Sequence, residues 1–143
     1  LVEITEIAGC KPGFEDCYAI RLAVFVGEQN VPEAEERDEF DAGARHFLAR
    51  RDGVAAGTLR LLEISSGVVK ITRVAVLKFA RGSGLGVALM RHAEAVSDAG
   101  MLLLDAQVQA LAFYEKLGYE AFGEVFMEAG ILHRHMRKLR HPA

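Results

Sequence analysis

The stretch VVKITRVAVLKFARGSGLGVALMRHAEAV, residues 68–96, constrains the fold more than any other part of the chain. A run rich in β-branched residues leads into Gly82, Gly84 and Gly86. Beyond them Leu85, Leu89, Ala93 and Val96 fall on one helical face. Strand, glycine-rich turn, helix is the reading. The first N–H groups of a helix have no internal partner, and the helix dipole adds partial positive charge there. Glycine lets a ligand approach the backbone closely. Arg81 adds a permanent charge beside the turn, so a phosphate or pyrophosphate is the expected guest.

Which phosphate motif this is can be narrowed by spacing. A P-loop ends in Gly-Lys-Ser/Thr, whereas Gly86 is followed by Val87 and Ala88. The dinucleotide fingerprint GxGxxG requires glycine at position 87, which is valine, and it belongs in an early βαβ unit, whereas this strand follows two others. What remains is R-G-x-G-x-G, which a turn without a ligand would also satisfy.

The flanking elements follow from periodicity and breakers. Val2 to Ile7 reads as a first strand, broken at Pro12-Gly13. Phe14, Cys17, Tyr18, Val24 and Phe25 have near-helical spacing, with Glu15 and Asp16 in the acid-favouring first turn. Asn30-Val31-Pro32 ends that helix. The acidic run Glu33 to Asp41 is read as a solvated face, in a loop or short helix. Two β-type runs flank Asp52-Gly53, a favoured hairpin turn. Ser65-Ser66-Gly67 turns into the strand before the glycines. Gly100 is the expected cap of the following helix. MLLLDAQV reads as a buried strand, ALAFYEKL as a helix stopped at Gly118, and YEAFGEVFME and ILHRHMRKL as two last strands. The order is β-α-βββ-α-β-α-ββ.

Composition bounds the rest. The 143 residues suit one domain, residues 1–143, and 51% are hydrophobic, enough for a sizeable core. A formal charge of -3 with no run of five like charges argues against nucleic acid or an anionic membrane as partner. No apolar run approaches the ~18 residues of a membrane span, and the opening residues show no signal-peptide pattern. Cys10 and Cys17 fit no zinc or CxxC spacing. The expectation is a cytoplasmic protein with reduced thiols and no metal.

Two segments in order, VAVLKFARGSGLGVALM and DAQVQALAFYEKLGYE, resemble motifs A and B of the GNAT superfamily of acyl-CoA-dependent N-acyltransferases, and together they span Arg73 to Tyr119. VFVGEQNVPEAEERDEFD, His46 and FMEAGILHRHM are similar to the bacterial ElaA/YjcF-like branch, whose pattern runs approximately VFV-x-EQ-x-x-x-x-x-E-x-D-x-x-D, then E-x-GIPH-x-x-M. The chain departs from this pattern at Leu132, where the branch usually has proline. It has Gln107 where many relatives outside the branch carry Asn, and Lys78 where proline is common. The resemblance implies an α/β (α+β) fold with a mixed, mostly antiparallel central sheet flanked by helices.

It also implies a site. Arg81, Gly82, Ser83, Gly84, Leu85 and Gly86 would wrap the pyrophosphate of acetyl-CoA. Val74, Ala75 and Val76 would pair with the amides of its pantetheine arm, on a strand that splays from the next, Leu102 to Gln107. Gln107 and Ala110 would face the cofactor and Phe113 would pack near its arm. Tyr114 stands where the family often has its general acid, although composition alone would make it a core tyrosine. A primary amine near pKa 10 must lose a proton before it attacks. Glu28, Glu128, His46 and His133 are the candidates to take it, with Glu28, Glu128 and His133 placed at the reaction and Gln29, His46 and Arg73 at the acceptor. His135 and His141 lack a matched context. The implied activity is acyl transfer from acetyl-CoA to a primary amine on a small molecule or peptide, in a ternary complex and without a cysteine nucleophile. A CoA-binding sensor that transfers nothing is the alternative from another class. A homodimer is left open. The acidic run, if it borders the acceptor cleft, would favour cationic acceptors.

Overall fold

The computed structural model describes residues 1–140. Its strands are β1 (Val2–Ala8), β2 (Arg45–Arg51), β3 (Val54–Ser65), β4 (Val68–Val76), β5 (Met101–Gln107), β6 (Glu120–Glu128) and β7 (Ile131–Leu139). Its helices are α1 (Phe14–Arg21), α2 (Glu33–Glu36), α3 (Leu85–Val96) and α4 (Leu111–Lys116). The strands form one sheet in the order β1-β2-β3-β4-β5-β7-β6. Every neighbouring pair is antiparallel except β4–β5. This is the mixed, mostly antiparallel sheet with flanking helices that the motifs imply. His141 lies outside the described residues.

Alternation along the strands divides the core between the two faces. On β2, Phe47 and Ala49 pack with Leu85, Leu89, Met90 and Ala93 of α3, while Leu48 packs with Phe14, Cys17 and Ile20 of α1. Leu89 is fully buried, and burying such a side chain is worth about 1.5–3 kcal/mol. The turns obey local chemistry. Asp52 and Gly53 both take positive φ, 50° and 81°, as a two-residue hairpin with right-handed strands requires. Gly118 stops α4 with φ 97°.

Gly100 does not cap α3 as expected. The helix ends at Ser97, which is extended, and Gly100 has no positive φ. Arg140 closes that end instead: its guanidinium donates to the carbonyls of Glu94 and Ser97 at 2.6 Å and of Ala99 at 2.8 Å. A cation there also complements the helix dipole.

Two irregularities shape the site. Between Thr58 and Arg60 the β3–β4 register slips, and Arg73 on β4 has φ 54°. This bulge bends β4 where it leaves its neighbour. Pairing of β4 with β5 covers only Val68–Met101 to Ile71–Leu104. Beyond that β4 pairs only with β3 and β5 only with β7. The second irregularity is a π-helical continuation of α1 over Leu22–Glu28, closed by Gln29 N donating to Val24 O at 3.1 Å.

The acidic run is a solvated face only in part: Glu33, Glu35 and Glu39 are exposed, but Glu36, Asp38 and Asp41 turn inward. Glu36 and Asp41 are buried and matched by arginines from three elements. Arg21 of α1 donates to Glu36 at 2.7 Å and to Asp41 at 2.8 Å. Arg60 of β3 reaches Asp41 at 2.9 Å and Asp38 at 2.7 Å. Arg73 of β4 lies 2.9 Å from Glu36, out of line for a hydrogen bond through its Nε, and donates through Nη2 to Asp38 at 3.2 Å. Three cations face three carboxylates, so burial of each charge is compensated.

Removing one partner strands the others. Arg21→Met leaves Glu36 and Asp41 short of their buried cation, which should cost about 3–5 kcal/mol. Asp41 is held far below the ordinary carboxylate range: burial opposes ionisation, but the hydrogen bonds from Arg21, the Asp38 N–H and Arg60 outweigh it. Its folded pKa is below the unfolded value, so its contribution is complete above about pH 4 and drains as the pH falls further. Melting curves from neutral pH downward should show the parent losing stability on that acid limb, and Arg21→Met melting well below the parent at pH 7. A variant that melts with the parent would remove the network as a determinant of the fold.

Candidate active site

Where β4 and β5 part, a cavity of about 1010 Å³ opens, lined on both sides of the gap. One wall is the free end of β4: Arg73, Val74, Ala75 and Val76 all line it. Beyond it lie Arg81, Gly82, Gly84, Leu85 and Gly86 of the turn. The other wall carries Gln107 at the end of β5, Ala110 before α4, and Phe113 and Tyr114 on α4. Glu28 and Gln29 come from the π-helical end of α1, and Glu128 and His133 from the β6–β7 hairpin. Residues expected from five separate parts of the sequence thus face one space.

The turn fits an anion. The first backbone bond of α3 is Ala88 N to Gly84 O at 3.0 Å, and the N–H groups of residues 82–87 have no backbone acceptor among the described residues. Gly82 and Gly84 have φ 77° and 85°, with open space where a Cβ would stand. Gly86 is tighter: a Cβ there would sit 3.3 Å from the ring of Phe113. Ser83 does not line the cavity with its side chain. Its hydroxyl turns back to donate to the carbonyl of Ala80, leaving its N–H as what it offers a ligand. Arg81 is held in place by its Nε donating to Val76 O at 3.0 Å, while Nη2 donates to Glu28 at 2.6 Å.

Side chains also cross the gap. Gln107 donates to Gln29 at 2.7 Å and accepts from Gln109 at 2.5 Å, tying the end of β5 to the end of α1. His133 lies with Nδ1 2.7 Å from Ile131 O. A carbonyl can only accept, so Nδ1 carries the proton and, in the neutral ring, Nε2 keeps its lone pair. The ring stacks on Phe126 at 5.7 Å. Tyr114 is buried, and burial alone pushes its phenol up to about 12. Its hydroxyl has no hydrogen-bond partner among the described residues.

Two expected acceptor residues sit otherwise than expected. His46 does not line the cavity. It is buried beside Phe14, rings edge to face at 4.9 Å, with Nε2 3.0 Å from Asp41 O. Its other nitrogen is buried without a partner. Nε2 therefore carries the proton and Nδ1 is a bare acceptor, so His46 supports the loop rather than meeting an acceptor. Arg73, expected to anchor an acidic group of the acceptor, is already engaged by Glu36 and Asp38. Sequence reasoning missed Arg21, Arg60, Glu36, Asp38 and Asp41 as site supports. A signal was available: the E-x-D-x-x-D part of the approximate branch pattern, set one residue further from Glu28-Gln29 than its printed spacing, falls on Glu36, Asp38 and Asp41. It also missed Lys70 and Asp105, paired at 2.8 Å in the same cavity wall, and Phe25 and Phe40 in its lining.

A parted parallel strand pair, with an anion-binding helix start at one end and a tyrosine in the wall, is the architecture of an acyl-CoA-dependent N-acyltransferase. Residues 13–140 match the acetyltransferase (GNAT) domain, and the chain belongs to that family. The uncharacterized N-acetyltransferase YjcF of Bacillus subtilis is 40% identical, the match covering 92% of this chain and 96% of that protein. An acyl-CoA N-acyltransferase from Pseudomonas aeruginosa superposes with a TM-score of 0.83 at 33% identity, covering 96% of this chain and 99% of that one. Escherichia coli ElaA superposes with a TM-score of 0.84 at 27% identity, over 96% and 99% of the two chains. The protein is an N-acetyltransferase.

Two outcomes follow. Gly84→Val should place a branched side chain in the open space above the turn, in a backbone conformation that valine resists. Calorimetry should show CoA binding weakened or lost, with a smaller change in melting temperature. Binding as tight as the parent's would move the pyrophosphate elsewhere. The second concerns His46, whose pKa is lowered mainly by burial. Its contribution to stability is full above the unfolded value of about 6.5 and drains as the pH falls through the lower folded value. The melting temperature should decline between pH 7 and 5, and His46→Gln should flatten that decline. An unchanged slope would assign it to another group.

Proposed function

We propose that the enzyme transfers acetyl from acetyl-CoA directly to a primary amine of a small molecule or peptide, both substrates meeting in the gap between β4 and β5. The observation that carries this reading is the continuity of the cavity from the open glycine turn, past the unpaired edge of β4, to Tyr114 and His133. A pyrophosphate held by the N–H groups of residues 82–87 and by Arg81 leaves the pantetheine arm to follow Val74, Ala75 and Val76. Their free backbone edge pairs with its amides, which is why plain aliphatic side chains suffice there. The thioester then lies between Tyr114 and the groups of the acceptor end.

The neutral nitrogen attacks the thioester carbonyl carbon, the C–S bond breaks as the tetrahedral intermediate collapses, the thiolate leaves, and the second proton that the nitrogen sheds on becoming an amide balances the one the thiolate takes up as free thiol. The amine must first give up the proton it carries at neutral pH. His133, with Nε2 unprotonated, and Glu28 are the acceptors in this reading; Glu128, exposed at the hairpin end, lies at the rim. Tyr114 stays protonated at every physiological pH because burial holds its pKa near 12. A thiol ionises near about 8.5. Tyr114 is therefore the weaker acid, and its main contribution is a hydrogen bond donated to the developing thiolate in a dry site, where such a bond is strong.

Tyr114→Phe removes that donor and keeps the ring packing against Phe113 and Tyr119. With acetyl-CoA and a panel of amines, free thiol release should fall roughly 100- to 1000-fold in the maximal rate, as for other lost donors to a developing anion. CoA affinity and melting temperature should stay close to the parent's. A fully active phenylalanine variant would mean the thiolate leaves unaided. An inactive variant that also melts early would make Tyr114 a structural residue.

A further inference from the structure

Glu28 and Arg81 form an ion pair at the mouth of the cavity, 53 residues apart in sequence and 2.6 Å apart in space. Each side chain is about two-fifths exposed, 39% for Glu28 and 42% for Arg81, so solvent and solutes reach both. The guanidinium is steered by its Nε, which donates to Val76 O on the strand that leads into the turn. Arg81 thus stands beside the N–H groups of residues 82–87, the same groups that fit a pyrophosphate. Any diphosphate bound there comes within reach of a guanidinium whose Nη2 is already donating to a carboxylate.

We propose that Glu28 and the pyrophosphate of CoA compete for Arg81, so that cofactor binding releases the Glu28 carboxylate to the acceptor end of the cavity. This rests on the acyl-transfer reading above. Two anions facing one cation repel each other, and the one with more donors gathered around it holds its place. The pyrophosphate has the helix start and the turn as well as Arg81, whereas the one side-chain hydrogen bond of Glu28 among the described residues is to Arg81. The neighbouring Gln29 is bonded across the gap to Gln107, so the segment carrying Glu28 remains docked when the ion pair opens. Glu28 then stays at the cavity as a free carboxylate, present for the amine only when the thioester is there to be attacked.

The alternative is that Arg81 serves both anions at once through its remaining N–H groups. The sign of one measurement separates the two. If they compete, Glu28→Gln removes a rival and CoA should bind more tightly, by about 2- to 5-fold, the range expected for loss of one partly exposed ion pair. The experiment is calorimetric titration of CoA into the parent, Glu28→Gln, Arg81→Gln and the double variant, with turnover measured alongside. Arg81→Gln alone should weaken binding. In its background Glu28→Gln should no longer improve affinity, because the contested group is gone. Glu28→Gln should also lower the acceptor-saturated rate despite its tighter CoA binding. Equal or weaker CoA binding by Glu28→Gln would overturn the competition. A gain that survives in the Arg81→Gln background would reduce it to general charge removal and overturn it equally. An unchanged saturated rate would overturn the release of a working carboxylate. A parent that binds CoA with the expected pattern but acetylates no amine would leave the competition standing and overturn the acyl-transfer reading instead.

Discussion

Everything functional in this molecule depends on a hydrogen-bonded ladder that stops early. The β4–β5 pair is parallel and holds for four residue pairs, from Val68–Met101 to Ile71–Leu104. Parallel neighbours need a long crossover, here α3, and the turn that starts the crossover is the glycine turn. One topological fact therefore fixes both ends of the path proposed for the cofactor: the strands part at the sheet's centre, and the open glycine turn lies where the crossover helix begins. The β3–β4 bulge at Arg73 bends β4 away without costing it the pairing with β3. Backbone edges left open by the parting would be unsatisfied in a closed core. Here they face a cavity, where water or a ligand's amides can pair with them.

The bulge has a second consequence. It turns the side chain of Arg73 toward Glu36 and Asp38, so the strand that walls the cavity also anchors the acidic segment that borders it. With Arg21 from α1 and Arg60 from β3, the network joins both layers of the fold to one loop. A buried network of this kind is weak evidence of net stability against an apolar substitute of the same shape. Its contribution is positional: six matched charges tie the loop to α1, β3 and β4 at once. The matched charges also mean that Glu36, Asp38 and Asp41 contribute little net field to the cavity. The electrostatic attraction for cationic acceptors that the acidic run suggests is correspondingly reduced, and the acceptor end is shaped as much by Phe25 and Phe40 as by charge.

The glycine turn and the parted strand that line the cavity were legible in the sequence because they are built from backbone. Glycines at 82, 84 and 86, a strand before them and a helix after them are local signals, and local signals survive in a linear reading. Tyr114 was legible only through the resemblance, since its helical spacing is that of any core residue. The network behind the other end of the cavity was harder because its contacts join residues far apart in sequence. Nothing local distinguishes Glu36, which is buried against Arg21, from Glu35, which is exposed. His46 illustrates the opposite error: a histidine at a matched position reads as chemistry, yet the strand alternation that puts Phe47 toward α3 turns His46 toward α1 and Phe14. Gly100 failed for a related reason, because the helix end it was assigned to is closed by a side chain forty residues downstream in Arg140.

The π-helical turn connects the two halves. An α-helix advances about 100° per residue, so the register at which a helix ends decides which side chains it presents. The widened turn over Leu22–Glu28 offsets that register before the chain reaches Glu28 and Gln29. Those two neighbours then point to opposite lips of the gap: Glu28 to Arg81 beside the glycine turn, Gln29 to Gln107 at the end of β5. Consecutive residues on a regular helix also diverge, but here the divergence spans the opening between two strands whose ladder ends at Ile71–Leu104. The gap is thus bridged only by side chains at this end, one bridge ionic and exposed, the other neutral and half-buried. In the competition proposed above, a ligand that threads between β4 and β5 displaces the ionic bridge and leaves the neutral one in place. That asymmetry would let the same short segment respond to the cofactor on one side and keep its place in the fold on the other.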